Sequence, residues 1–111
     1  MTYDRWDVVA VAFPFLEGYD AKRRPALVVS TDALHRTHGI HWLAMITTAK
    51  GGVRPDDVAI ADHRAAGLPE DCVIRVPRLA TLGDAQIVRR LGTVGTRERR
   101  AVSGLLKRFM P

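Results

Sequence analysis

Lys22-Arg23-Arg24-Pro25-Ala26-Leu27-Val28-Val29-Ser30 decides how the rest of the chain is read. A cluster of cations stands directly against an apolar run of the kind that forms a fully buried strand. Proline disfavours helix in the residue before it, so Arg24 is expected to be extended at the strand entrance. Proline itself is tolerated as a first strand residue, which starts this strand at Pro25 and runs it to Ser30. Side chains alternate along an extended segment, so Lys22 and Arg24 share one side and Arg23 takes the other. A guanidinium held at such a place suits a phosphate.

Working outward, Asp7 to Phe13 reads as a first strand on Val8, Val9, Val11 and Phe13. A polar loop from Pro14 to Lys22 follows, with Glu17, Gly18, Tyr19 and Asp20. Thr31 or Asp32 caps a short helical turn at 33–35. Ile40 to Thr47 is a third strand in which Trp42 is expected in the core or at a dimer interface. Residues 49–57 form a loop, Val58 to Ala61 a short strand, 66–69 a turn, and Cys72 to Val76 another strand ended by Pro77. Residues 84–94 stay open between helix and strand. The final element is a helix capped by Thr96, with Val102, Leu105, Leu106 and Phe109 on its apolar side. Glu98 in its first turn and Lys107 and Arg108 in its last suit the helix dipole. Five or six short strands and one C-terminal helix predict a mainly β (α+β) fold, a small barrel or half-barrel closed by the helix. The whole of 1–111 is expected to be a single domain.

Composition narrows the chemistry. The 111 residues carry 17 Lys and Arg against 12 Asp and Glu, a net charge of +5 that favours polyanionic partners. Cys72 stands alone, so no intrachain disulfide forms; among apolar neighbours it reads as a small core residue. The longest apolar run, Val8 to Leu16, is too short to span a bilayer, and the N-terminus has no signal-peptide pattern. A soluble, cytoplasmic protein with no membrane partner is expected. His35, His38 and His41 are spaced by three, but Gly39 breaks any helix before His41 and no Cys pair or carboxylate motif accompanies them. They read as exposed loop histidines, with no metal and no cofactor expected. What remains is a cationic set, Lys22, Arg23, Arg24, Lys50, Arg75, Arg78, Arg89 and Arg90, beside the hydroxyl pair Thr47 and Thr48. Each is either solvated surface or part of a nucleic-acid site.

Taken in order, several segments resemble the MazF/PemK family of toxins from bacterial toxin–antitoxin systems. They are Asp7-Val8-Val9 through Phe13-Pro14-Phe15, Lys22 through Ser30, Ile46-Thr47-Thr48-Ala49, Ala66-Gly67-Leu68, Val73-Ile74-Arg75-Val76, Leu79 through Gly83, and Arg90-Leu91-Gly92. The resemblance implies an SH3-like small β-barrel of the MazF/PemK/CcdB type with a C-terminal helix, acting as a homodimer. It implies a metal-independent, sequence-selective endoribonuclease (an mRNA interferase) that cuts single-stranded RNA and is neutralised by a cognate antitoxin. Arg24 and Thr47 match the family's catalytic arginine and threonine, and Arg75 matches an arginine that some members use later in the barrel. Lys22, Arg23, Tyr19, Glu17, Thr48, Lys50 and Arg78 are the expected RNA contacts, with Phe15 a further stacking candidate. Two positions depart from the pattern. Trp6 stands where the family has glycine, and Pro77-Arg78 where many members have Asp-Gln, so an acid that serves as general base in some members is missing. Glu17 and Asp20 are the nearest carboxylates to Arg24 in sequence. Cleavage by 2′-hydroxyl attack would leave a 2′,3′-cyclic phosphate and a 5′-hydroxyl. Alternatives are a CcdB-like gyrase-binding toxin, against which the Arg24/Thr47 pair argues, and a degenerate toxin that binds RNA without cutting it.

Overall fold

A computed structural model describes residues 2–12 and 23–111. Phe15, Glu17, Tyr19, Asp20 and Lys22 lie outside the described residues. The elements are β1 (Asp7–Ala12), β2 (Arg23–Val28), α1 (Asp32–His38), β3 (Ile40–Thr48), β4 (Asp57–Ala59), β5 (Cys72–Gly83), β6 (Ile87–Thr93) and α2 (Thr96–Phe109). Single turns of 3-10 helix at Ala49–Gly51 and Asp84–Gln86 follow β3 and β5. The chain is mainly β, as its sequence predicts.

All six strands join one antiparallel sheet in the order β4-β5-β3-β2-β1-β6. Consecutive strands β5 and β6 lie on opposite sides of β3, β2 and β1. Across a flat sheet that would be about 19 Å between strand axes. The turn between them spans at most about 14 Å even if extended. The sheet is therefore strongly curled, a half-barrel whose edges β4 and β6 are not paired among the described residues.

Curling covers both faces of the middle strands. Val8, Leu27, Ala44, Ile46 and Ile74 pack in one cluster, against Val102, Leu105 and Leu106 of α2. The alternate residues Val9, Val11, Ala26, Val28 and Leu43 pack in a second cluster with Tyr3, Leu82 and Ile87. Burial on both faces explains why β1 and β2 read as continuous apolar runs.

Three sequence expectations change. First, β5 does not end at Val76. Its pairing with β3 slips between Ala44↔Leu79 and Met45↔Arg75. Val76, Pro77 and Arg78 fall in that irregularity, where a residue without an N–H breaks no ladder bond. Second, 84–94 resolves into a turn and a strand, because the segment pairs with β1 through two register shifts. Third, α2 is capped by Gly95, with Thr96 its first helical residue. Glu98 is buried at 4 % exposure and accepts the Ala61 N–H at 2.8 Å, so the first turn of α2 anchors the strand-side loop.

Trp6 has φ +77°, the left-handed region that favours glycine. This is where the resemblance leads to glycine. Here the ring packs against the core and beneath the Arg5 guanidinium, 4.4 Å from the ring centroid. Its carbonyl accepts from the Thr93 hydroxyl and its N–H donates to Val28.

The turn at Gly67 lies directly on β6. A Cβ on Gly67 would stand 2.1 Å from the Leu91 carbonyl oxygen, and one on Gly92 would stand 2.4 Å from that of Ala65. Gly67 also has φ +75°. Gly67→Ala is expected to cost about 2 kcal/mol or more in urea unfolding. Gly104→Ala, in the exposed interior of α2 with open space around it, is expected to gain about 0.5–1 kcal/mol.

Candidate RNA-cleavage site

The site forms where β2 begins and β3 ends. The β2–β3 ladder pairs Ala26 with Met45, Leu27 with Ala44 and Val28 with Leu43. Carried back along the same register, it brings Arg24 level with Thr47. Both residues line two adjoining clefts of about 300 Å³ each. The first is walled by Arg23, Pro25, Thr48, Leu68, Pro69, Glu70 and Cys72. The second is walled by Met45, Arg54, Arg75 and Arg78. Arg24 is exposed and Thr47 half-buried, so a guanidinium and a hydroxyl face one solvent-open groove.

Arg75 enters from β5, next to Met45 on one side and Asp57 of β4 on the other. Its Nε donates to Asp57 Oδ1 at 3.1 Å and its Nη2 to Oδ2 at 3.0 Å, a bidentate pair. The Asp57 side chain is wholly covered and also accepts the Arg54 N–H at 2.7 Å. The bond from Arg75 holds the Asp57 carboxyl below its ordinary range, and that same bond raises the Arg75 guanidinium. Arg75 is thus a stiffened cation on the wall of the groove.

Among the expected contacts, Arg23, Thr48 and Arg78 line the groove. Lys50 sits beyond Thr48, with Nζ 3.2 Å from Glu70 Oε1. Arg89 and Arg90 lie on β6, outside both clefts; Arg90 instead donates to the buried Asp7 carboxylate at 2.8 Å. Cys72 is buried, and burial pushes its thiol up, in keeping with a core residue at the groove floor. Trp42 is not in the core: it is 44 % exposed, on a surface groove with Leu79, Leu106 and Met110.

Sequence reading missed Glu70, Arg54 and Asp57. Glu70 and Arg54 lie in loops without periodicity. Asp57 acquires its role only through the β4–β5 register that sets it opposite Arg75.

The fold and groove define a small basic β-domain with a cation–hydroxyl pair at a strand junction. The sequence matches the family described as PemK-like, MazF-like toxin of type II toxin-antitoxin system over residues 4–110, and the chain belongs to that family. It is similar in structure to MazF in the MazE–MazF complex (Form-II) of Deinococcus radiodurans, with TM-score 0.77 at 20% identity, covering 99% of this chain and 96% of that one. An endoribonuclease from a mycobacterial species, solved in complex with its cognate antitoxin, gives TM-score 0.75 at 21% identity over 99% and 98% of the two chains. The Mycobacterium tuberculosis toxin MazF-mt6 gives 0.71 at 17% identity over 92% and 93%. No curated protein sequence matches.

The Asp57–Arg75 pair has a defined pH signature. A carboxyl whose folded pKa is depressed contributes stability above its unfolded pKa, near 3.8, and loses it as pH falls through the folded value. Asp57→Asn is therefore expected to lower the urea midpoint at pH 7. The gap from the parent protein is expected to close as pH falls below 3.8. Unfolding curves across pH 2.5–7 read this directly.

Proposed function

We propose that the protein is an endoribonuclease toxin that cleaves single-stranded RNA without a catalytic metal ion and is neutralised by a cognate antitoxin. The observation that carries this reading is the Arg24–Thr47 pair, level across β2 and β3 and shared by both clefts. Family membership and the endoribonuclease–antitoxin complex among similar structures support it.

The reaction uses the RNA's own nucleophile. The 2′-oxygen attacks the adjacent phosphorus, the bond from phosphorus to the 5′-oxygen breaks, and the 2′-proton passes to a base. The departing 5′-oxygen takes up a proton from water. A 2′,3′-cyclic phosphate and a 5′-hydroxyl result. Negative charge gathers on the phosphate oxygens in the transition state. A preorganised guanidinium and hydroxyl stabilise it there more than in the ground state. Arg24 holds the charge and Thr47 donates to a phosphate oxygen. Arginine's high pKa makes it a charge stabiliser, not a proton donor. Arg75, held by Asp57, and the neighbouring Arg78 extend the cationic wall along the strand of phosphates.

For the base we assign Glu70. Pro77 removes the acid that many family members carry on β5, Asp57 is committed to Arg75, and Glu70 brings a carboxylate into the cleft that Arg24 and Thr47 line. Arg23, Thr48 and Lys50 steer and hold the backbone, with Lys22, Tyr19 and Glu17 as contacts from the preceding loop. A basic groove also suits an acidic, partly apolar antitoxin segment. The exposed Trp42, Leu79 and Met110, beside the end of α2, offer an apolar face for a second copy of the chain. A cytoplasmic location is part of this reading, because cellular RNA is the substrate it requires.

Single-turnover cleavage of an end-labelled RNA in EDTA tests the assignment. The parent protein is expected to cut and leave cyclic phosphate ends. Arg24→Ala and Thr47→Ala are each expected to be slower by about 10²–10³, and Arg24→Lys to fail as well. Glu70→Gln is expected to slow cleavage by about 10²–10⁴. A folded Arg24→Ala protein that cuts at the parent rate overturns the reading.

A further inference from the structure

At the other end of β3 from Thr47, three side chains from three elements meet. His35 comes from α1, His41 from β3, and Asp84 from the turn after β5. The imidazoles of His35 and His41 stack with centroids 4.6 Å apart and planes 11° from parallel. His35 Nε2 is 2.8 Å from Asp84 Oδ2, and His41 Nε2 is 3.4 Å from Oδ1. One ligand atom from each residue falls within 4.8 Å of the other two. The sequence reading of exposed loop histidines holds for the exposure of His38 but not for the other two: His41 is 2 % exposed, and the side chain of His35 is 19 % exposed.

We propose that His35, His41 and Asp84 form a binding site for a transition-metal dication of the zinc type. Two imidazole nitrogens and a carboxylate oxygen are the donor set such ions take, with a fourth position left for water. Ligand atoms around a tetrahedral zinc stand about 3.3 Å apart, so the three donors, within 4.8 Å of one another, need to draw together only slightly.

A second observation points to a ligand. His41 Nε2 is buried and has no hydrogen-bond partner among the described residues, although it is aimed at the carboxylate. A buried, unpaired ring nitrogen is unfavourable, and a metal ion would satisfy it. Asp84 is half exposed, so an ion can enter from solvent. Each lone pair lies in its own ring plane, so binding requires the parallel rings to splay. The bound ion would clip α1 to the β5–β6 connection. It would leave the RNA groove untouched, because six residue steps of β3 separate His41 from Thr47, about 20 Å.

Calorimetric titration of chelator-treated protein with zinc chloride, paired with thermal unfolding, tests this. The parent protein is expected to bind about one zinc per chain and to melt at higher temperature with zinc than without. His35→Ala and Asp84→Asn are expected to weaken binding at least about tenfold and to lose the zinc-dependent shift. His38→Ala, on the same helix but outside the cluster, is expected to bind as the parent does. His41 is left intact because it belongs to the core, and circular dichroism without metal checks that each variant is folded. No zinc binding by the parent overturns the proposal, as does binding that survives both substitutions or is lost with His38.

Discussion

The register of β3 is the constraint on which everything else depends. It pairs with β2 on one side and with β5 on the other, and its middle residues are buried on both faces of the curled sheet. Slipping a strand by one residue exchanges its faces. Such a slip would put Ala44 and Ile46 into the space of Leu43 and Met45. The core therefore holds β3 in one place, and that fixes which residue of the Thr47–Thr48 pair stands level with Arg24. The same register carries His41 to α1 and Asp84. One strand thus positions a polar constellation at each end while its centre makes the core.

On β5 the irregularity between Arg75 and Leu79 does comparable work. It lets a long strand serve two partners, β4 near its start and β3 along its length. Pro77 fits because no ladder bond is asked of it, and the departure from regular pairing leaves Arg78 at the groove wall. Glu70, supplied by the loop that enters β5, lines the cleft with Arg23 and Arg24 and pairs with Lys50 at 3.2 Å, while Arg75 and Arg78 line the adjoining one.

Local signals were legible where burial was complete. Val8 to Val11 and Ala26 to Val29 announced their strands because their apolar runs are buried on both faces. The extended conformation of Arg24 was legible because Pro25 disfavours helix in the residue before it. Residues 84–94 were not, since Arg89, Arg90 and Gly92 weaken any period, and only pairing with β1 decides the conformation. The length of β5 was hidden by Pro77, which reads as a terminator until the bulge that accommodates it is known. Nothing in the sequence links His41 to Asp84 or Asp57 to Arg75. Those meetings are consequences of strand order, between residues far apart along the chain.

The same distinction governs the positive charge. A net +5 suggests a polyanion but does not say which arginines meet it. Arg5 donates to the Val29 carbonyl, Arg90 to Asp7, and Arg99 to the Val94 carbonyl and the Thr93 hydroxyl. These close the junctions among β1, β2, β6 and α2, using the guanidinium's several fixed donors to satisfy acceptors at strand and helix ends. Arg23, Arg24, Arg54 and Arg78 instead face the groove. Arg75 belongs to both groups: its bidentate bond to Asp57 ties β4 to β5, and its place on the groove wall keeps a cation there in fixed geometry. An arginine-rich composition is therefore partly structural, and the charge that lines the groove is the smaller, localised share that strand order gathers around Thr47.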